Sequence, residues 1–158
     1  DRSVWRERQA VLVLGYGAFG ELVRAHVRQL MAVRGGARAE WLALPVSGLT
    51  AGLALAQARV RPGERVLVTA AAGATGLFAV QLAKLAGAHV VATCSSPAKA
   101  ARLRQLGADR VINYRQEDLA AVLRAEYPRG VDVVYESVGG ATFDTCVVAL
   151  AVRGRLLV

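Results

Sequence analysis

Two glycine-rich segments of the chain have residue types and spacings that could bind a nucleotide phosphate. The first, Gly15–Gly20 (GYGAFG), directly follows the apolar run Val11–Leu14. The second, Ala70–Gly76 (AAAGATG), lies between an apolar β-branched run and an Ala/Leu-rich run with helical spacing. A glycine turn that leads into a helix presents unpaired backbone N–H groups, and such groups bind phosphate oxygens.

The residues that follow each motif distinguish the two. A dinucleotide site needs a second parallel strand about 20 residues further on. The first motif is followed by the loop-like segment Arg34–Arg38, so we interpret it as a turn without a ligand. The second is followed by the strand-like His89–Thr93. We predict that Gly73 allows close backbone approach, that Thr75 donates its hydroxyl to phosphate, and that Gly76 lets helix and sheet pack. A Gly/Ala-rich turn without a ligand is the alternative.

The end of the predicted second strand indicates which cofactor would bind. NAD-specific sites usually carry an Asp or Glu there for the ribose 2′-OH, but the segment Thr93–Lys99 (TCSSPAK) has no carboxylate. A hydroxyl and the Lys99 ammonium can hold a 2′-phosphate, so we predict NADPH rather than NADH. Tyr114, after the third strand, is placed to pack on the adenine side. Ser96 is predicted to be a helix N-cap, and Lys99 taken alone could be a surface residue.

One further loop carries a candidate contact, and two phenols are available as proton donors. Ser137 follows the predicted strand Val131–Tyr135 and is a candidate for a ribose or adenine-side contact, with an ordinary helix-start role as the alternative.

Tyr16 and Tyr135 are the available phenols, and we interpret both as structural. We therefore name no catalytic residue.

These residues would be positioned by an alternation of strands and helices that begins at residue 63. Such alternation with short connections predicts an α/β fold, a doubly wound Rossmann-type parallel sheet with helices on both faces. The predicted strands are Arg65–Thr69, His89–Thr93, Arg110–Ile112, Val131–Tyr135 and one beginning at Arg155–Val158; the predicted helices are Thr75–Ala86, one starting at Ser96-Pro97, Glu117–Glu126 and Ala141–Ala151.

The first 60 residues do not follow this alternation. Leu22–Val33 partly alternates apolar and polar residues, which suits a half-exposed strand as well as a helix. A helix is predicted from about Ser47 to Ala58.

Composition and charge describe a globular protein without an obvious macromolecular partner. The chain has 158 residues, of which 54% are hydrophobic, and a net charge of +8. Its arginines are scattered, so we expect a solvated surface rather than a nucleic-acid interface. Val66–Ala83 is uncharged, but glycines interrupt it, so a buried strand and helix are expected there and no membrane span.

The histidines and cysteines give no metal-binding pattern. Cys94 and Cys146 lie far apart, and with His26 and His89 they form no spacing typical of zinc. We expect no metal, and buried thiols in a reducing compartment. No signal peptide is recognisable, so a cytoplasmic location is expected, or a peroxisomal one if the source is a eukaryote.

Three segments together resemble the medium-chain dehydrogenase/reductase superfamily, in its zinc-independent quinone oxidoreductase-like branch. They are Val66–Ser96 (VLVTAAAGATGLFAVQLAKLAGAHVVATCSS), Ala108–Tyr114 and Glu126–Gly140 (EYPRGVDVVYESVGG). The resemblance implies a GroES-like substrate barrel followed by a Rossmann domain that binds NADPH. It also implies that Ser95, Lys99 and Tyr114 hold the 2′-phosphate.

The same resemblance gives a domain organisation. Residues 1–45 would be a remnant of the GroES-like barrel, 46–64 a linking helix and turn, and 65–158 the NADPH-binding domain of about five strands. Gly17–Leu22 is similar to a family stretch near the end of the barrel, and Pro45–Ala51 to the linking segment. There Thr50 would lie near the nicotinamide, and Thr75 and Ser137 would also touch the cofactor. We expect the chain to be a fragment without the family's sixth strand, from a protein that forms a homodimer.

The implied activity is NADPH-dependent reduction of activated C=C bonds by hydride transfer. The substrates would be α,β-unsaturated ketones such as 15-keto-prostaglandins, simple enones, or quinones. A non-catalytic NADPH-binding module or redox sensor, and a truncated zinc alcohol dehydrogenase, are the alternatives.

Overall fold

The computed structural model describes residues 11–13, 23–33 and 38–158, which fall into the compact units Asp1–Val46 and Ser47–Val158. In the first unit, β1 (Val11–Val13) pairs antiparallel with β2 (Leu30–Ala32), Val11 lying opposite Ala32. The strand before the first glycine motif thus belongs to an antiparallel pair, not to a parallel βαβ unit. The motif itself, Tyr16 and Gly17–Leu22 lie outside the described residues.

Within the predicted segment Leu22–Val33, the described residues 23–33 contain both irregular and extended structure. Residues Val27–Gln29 form a single 3₁₀ turn, capped by the side chain of His26, and β2 follows directly. A second 3₁₀ turn covers Ala39–Ala43. The half-exposed strand was therefore the better of the two interpretations, although it is only three residues long.

The second unit is built on a five-stranded parallel sheet, as predicted. The strands are β3 (Arg65–Val68), β4 (His89–Cys94), β5 (Arg110–Asn113), β6 (Val131–Tyr135) and β7 (Leu150–Leu157), in the spatial order β5-β4-β3-β6-β7. Helices join consecutive strands: α2 (Ala74–Leu85), α3 (Pro97–Gln105), α4 (Leu119–Glu126) and α5 (Gly140–Val148). The chain therefore winds outward from β3 to β5 and then returns to β6 on the other side of β3.

Side chains of the strands alternate between two apolar layers. Val66 and Val68 of β3 are fully buried in the layer that also contains helices α2 and α3, and Leu67 is buried in the layer beneath α4 and α5. Strands covered on both faces read as continuous apolar runs, which is why their positions are visible in the sequence. The uncharged stretch Val66–Ala83 is the strand β3 and most of α2, as expected.

The predicted linking helix is α1 (Leu49–Ala58), preceded by a π-helical turn at Leu44–Gly48. By length and composition alone, the helical stretch Ala39–Ala58 could cross a membrane, since its mean hydropathy is 1.3. Its α1 part packs instead against α2, with Ala51 and Leu55 in the apolar layer.

The helix predicted for Ala141–Ala151 was too long. Helix α5 ends at Val148, and β7 starts at Leu150. The pairing of β7 with β6 is irregular near its start. Val131 pairs with Leu150, but Val133 pairs with Arg155, so the residues between Leu150 and Arg155 form a bulge. Gly154 lies within this bulge, where an added Cβ would come 2.8 Å from the Ala151 carbonyl oxygen. This glycine accommodates a close backbone approach.

Candidate dinucleotide site

The strand order creates a crevice at the carboxyl ends of β3 and β6. These strands are neighbours, but the helix after β3 leads towards β4 and the helix after β6 leads towards β7. The two connecting loops therefore diverge, and in open α/β sheets ligands bind where this occurs. The residues that begin these loops are Thr69 after β3 and Glu136 after β6.

The loop after β3 is held against the end of β4 and leads into α2. Ala71 donates its backbone N–H to the Thr93 carbonyl (3.2 Å), and Gly73 donates to the Ala70 carbonyl (2.8 Å). Gly73 is the N-cap residue of α2, which has no side-chain cap. In contrast, Ser96 caps α3 and Asp118 caps α4. The first turn of α2 therefore has backbone N–H groups available for an anion, where the helix dipole also favours negative charge.

Gly76 allows this helix to start close to the backbone of the preceding loop. An added Cβ at Gly76 would lie 2.5 Å from the Ala70 carbonyl oxygen and 2.7 Å from Ala71 Cα. The close contacts are with the loop that joins β3 to α2, whereas the sequence analysis predicted contact between helix and sheet. The structure places all three predicted phosphate-loop residues together at the start of α2, with Gly73 exposed and Thr75 half-buried.

The candidate 2′-phosphate residues lie at the ends of the next two strands. Lys99 Nζ is 3.3 Å from Ser95 Oγ, and the Lys99 side chain is exposed on α3. Tyr114 is tied to the same place, because its backbone N–H donates to the Cys94 carbonyl (3.1 Å). Its side chain is half exposed. Ser96 caps α3 by accepting the Lys99 backbone N–H (3.4 Å), in agreement with the sequence prediction.

Two cavities flank the loop that follows β6. One, of about 400 Å³, is lined by Ala70, Thr93, Tyr114, Asp118, Val138 and Thr142. The other, of about 410 Å³, is lined by Thr50, Ala54, Tyr135, Ser137, Val138 and Phe143, among others. Tyr114 thus lies on one side of the loop, and the predicted cofactor residues Thr50 and Ser137 share the other. Val138 lines both cavities, and the sequence interpretation did not identify it.

A cavity larger than either of these lies elsewhere, at the amino ends of the strands. It measures about 1080 Å³ and is lined by residues that include Arg65, Tyr127, Asp132 and Leu150. Because parallel sheets bind ligands beyond the carboxyl ends of their strands, cavity size alone does not identify the site here.

Sequence reasoning also missed the buried polar pair Thr69 and Glu136. Their relative exposures are 0% and 2%, and Thr69 Oγ1 lies 3.3 Å from Glu136 Oε1. A polar residue directly after an apolar run was the available signal at both positions. The sequence alone did not show that the two strand ends are adjacent.

The two cysteine thiols and the Tyr135 phenol are buried. Cys94 and Cys146 are free and buried, as predicted, and burial raises the pKa of Cys146 to about 12. Burial also raises the pKa of the Tyr135 phenol, which is 7% exposed. Among the residues that the structure describes, no group of three or more His, Cys, Asp or Glu side chains is placed to hold a metal ion.

Comparison with known proteins identifies relatives along almost the whole chain. Prostaglandin reductase-3 of Bos taurus is 54% identical over 151 residues, which is 95% of this chain and 40% of that protein. A probable quinone oxidoreductase of Leishmania amazonensis is 46% identical over 150 residues, 94% of this chain and 44% of that protein. The chain therefore spans less than half the length of these curated relatives.

A solved structure has the same fold. The quinone oxidoreductase from Thermus thermophilus, determined also as its complex with NADPH, is 39% identical with a TM-score of 0.80. The match covers 95% of this chain and 50% of that one. The family model described as "Zinc-binding dehydrogenase" matches residues 74–158, more than half of the chain and most of the parallel sheet. The chain therefore belongs to the zinc-binding dehydrogenase family, within the medium-chain dehydrogenase/reductase superfamily.

Proposed function

We propose that this chain supplies the NADPH-binding half of a reductase that acts on activated C=C bonds. The observation that carries the proposal is the Ser95–Lys99 pair, with Nζ 3.3 Å from Oγ, at the end of a strand that offers no carboxylate. A carboxylate at this position would repel a 2′-phosphate, whereas a lysine and a hydroxyl attract it. The uncapped start of α2 is the complementary site for the pyrophosphate.

Each predicted cofactor residue has a role in this proposal. The first-turn N–H groups of α2 and the Thr75 hydroxyl would bind the pyrophosphate. Ser95, Lys99 and Tyr114 would hold the adenosine end with its 2′-phosphate. Thr50 and Ser137 line the cavity of about 410 Å³ and would contact the nicotinamide end. For Ser137 this differs from the ribose or adenine-side contact expected from the sequence, because Ser137 shares its cavity with Thr50 and not with Tyr114.

The bound cofactor would supply a hydride for the β-carbon of an enone or for a quinone. The chain's own part is to orient the cofactor and to shield its reactive end, for which the apolar side chains Ala54, Val138 and Phe143 are available. The relatives, a prostaglandin reductase and a probable quinone oxidoreductase, support this reaction class. We assign residues 1–45 to part of a substrate barrel, in keeping with the antiparallel pairing of β1 and β2.

Titration of NADPH and NADH against wild type and Lys99→Ala tests the cofactor assignment. Loss of a charge-assisted phosphate contact should weaken NADPH binding by about 1.5–3 kcal/mol, roughly 10- to 150-fold, and leave NADH nearly unaffected. Arg124→Ala is the matched control, because it also removes one exposed positive charge, from the last turn of α4. It should bind NADPH as the wild type does.

Equal wild-type affinity for the two cofactors would overturn the 2′-phosphate argument. So would equal losses of NADPH and NADH affinity in Lys99→Ala.

The reaction class has its own test in the protein that carries this chain. Oxidation of NADPH is followed with a 15-keto-prostaglandin, a simple enone and a quinone. Turnover with any of them supports the reductase. Tight NADPH binding without turnover would instead favour a cofactor-binding sensor.

A further inference from the structure

A polar pair lies inside the apolar sheet, directly beneath the proposed cofactor crevice. Thr69 directly follows β3 and Glu136 directly follows β6, and both side chains are buried. A buried carboxylate is costly unless it is hydrogen-bonded, so its partners indicate what it does.

Glu136 organises the loop that follows it. Its Oε1 accepts the backbone N–H groups of Val138 (2.7 Å) and Gly139 (3.1 Å), and its Oε2 accepts Gly139 N–H at 3.0 Å. The loop thus curls around the carboxylate of its own first residue. Gly139 has φ +78°, a left-handed conformation that L side chains rarely adopt, so this curled path depends on glycine.

Thr69 extends the same hydrogen-bond network from the β6 loop to the end of β3. Its Oγ1 accepts the Ser137 N–H (3.1 Å) and lies 3.3 Å from both Glu136 Oε1 and the Tyr135 carbonyl oxygen, either of which can take its proton. The backbone N–H of Thr69 also donates to the Tyr135 carbonyl (2.9 Å). We call Thr69, Glu136 and their hydrogen bonds the Thr69–Glu136 clamp.

The clamp holds its charge with backbone dipoles. In the part of the chain that the structure describes, no ion pair involves Glu136. The carboxylate faces the N-terminal end of α5, whose dipole favours negative charge. The N–H groups of Val138 and Gly139, from which it accepts hydrogen bonds, belong to the connection between β6 and α5. The carboxylate therefore fixes the conformation of this loop.

We propose that the Thr69–Glu136 clamp positions the loop Ser137–Gly139 for the nicotinamide half of the dinucleotide. This inference rests on the proposed function. In doubly wound sheets, each half of the dinucleotide is bound by one half of the sheet, and β6 begins the second half. Ser137 and Val138 are exposed and line the cavity that also contains Thr50. Thr69 and Glu136 are positioning residues, because both act through the loop and are themselves buried.

Binding of two ligands distinguishes this role from a purely structural one. NADPH contains both halves of the cofactor, whereas adenosine 2′,5′-bisphosphate contains only the half assigned to α2, Ser95 and Lys99. Thr69→Val removes the hydroxyl at nearly constant volume, and Glu136→Ala removes the acceptor of the loop N–H groups. Each should weaken NADPH binding roughly five- to tenfold, because buried donors lose their partners. Each should change binding of the bisphosphate by less than about twofold.

Two further variants make the comparison specific. Thr69→Ser keeps the hydroxyl and should restore NADPH affinity. Asp132→Asn weakens the pair with Arg65 (2.9 Å) at the opposite end of β6 and should lower stability without a selective loss of NADPH affinity.

The outcomes separate this inference from the proposed function. Wild-type-like NADPH affinity in both Thr69→Val and Glu136→Ala, or equal losses for the two ligands, would overturn the clamp alone. A wild-type chain that binds neither ligand would overturn the proposed function and the clamp with it.

Discussion

At the scale of single residues, the predictable positions are those whose role depends on close neighbours in the chain. Gly76 could be assigned because a strand, a glycine turn and a helix follow one another directly. Thr69 and Glu136 could not, because their hydrogen bond joins positions 67 residues apart and exists only because β6 adds beside β3. In the sequence, each of them is only a polar residue that follows an apolar run, because its partner on the other strand cannot be identified.

The close approach at Gly76 gives a stability prediction. In Gly76→Ala, the new methyl group would meet backbone atoms of Ala70 and Ala71 at 2.5–2.7 Å, and backbone cannot move aside as a flexible side chain can. We expect a loss of about 3 kcal/mol in the free energy of unfolding, measured by urea denaturation.

Gly52→Ala is the matched control for that variant. Gly52 lies within α1, and its added Cβ would be 3.9 Å from Leu82 Cδ1, an ordinary contact. Alanine favours helix over glycine by up to about 1 kcal/mol, so this variant should be as stable as the wild type or more so. Equal stability of Gly76→Ala and Gly52→Ala would contradict the packing argument.

At the scale of elements, cap residues and apolar runs located most boundaries. Ser96 and Pro97 begin α3 as predicted. Asp118 caps α4, which starts at Leu119, two residues later than the sequence indicated. The error at β7 has a physical cause. Its apolar beginning, Leu150–Val152, continues the apolar run at the end of α5, so the sequence does not mark where the helix stops. The pairing of β7 with β6 is also interrupted by the bulge between Leu150 and Arg155. Arg153, with φ +66°, turns the chain there, and nothing in its residue type indicates that conformation.

The connection between β5 and α4 gives a prediction for acid stability. Arg110 pairs with Glu117 (2.6 Å) and Glu126 (2.8 Å), and these hydrogen bonds hold the pKa of both carboxyl groups below the ordinary value of 4.5. A carboxyl group whose pKa is lower in the folded state stabilises the fold above its unfolded pKa. That contribution is lost as the pH falls through the folded pKa. Stability of the wild type should therefore decrease below pH 4.5.

Arg110→Gln should make that decrease shallower, because its two carboxyl groups then titrate closer to their ordinary values. Urea unfolding at neutral pH and at several pH values below 4.5 measures the slope. Asp132, paired with Arg65, also has a lowered pKa, so some pH dependence should remain. Arg115→Gln removes an equal charge from the neighbouring loop and should keep the wild-type slope. A slope in Arg110→Gln as steep as in wild type would refute the assignment.

At the scale of the whole molecule, alternation along the chain was sufficient to predict a parallel sheet. Short connections that contain a helix join consecutive strands in the parallel sense, so the fold class follows from the pattern. The spatial order did not follow, since strands added on either side of β3 would read alike in sequence. Yet it is this order that puts the loops after β3 and β6 at one crevice and makes the Thr69–Glu136 clamp possible.

The fold also predicts where a bound dinucleotide will protect the backbone from hydrogen exchange. The loops after β3, β4 and β6 open at the carboxyl edge of the sheet, whereas the turns Arg61–Glu64 and Tyr127–Gly130 lie at the amino edge. Saturating NADPH should slow exchange in segments 70–76 and 137–140 and leave both amino-edge turns unchanged. A ligand that binds only the folded state at 100 times its Kd adds about 2.7 kcal/mol of stability to global unfolding. Local protection must therefore be read from amides that exchange by local opening.

NADH, at a concentration matched to its own Kd, should protect segment 137–140 equally and the residues around Ser95 and Lys99 less. Protection concentrated at the amino edge, beside the cavity of about 1080 Å³, would place the cofactor at the wrong end of the sheet and refute the proposed site.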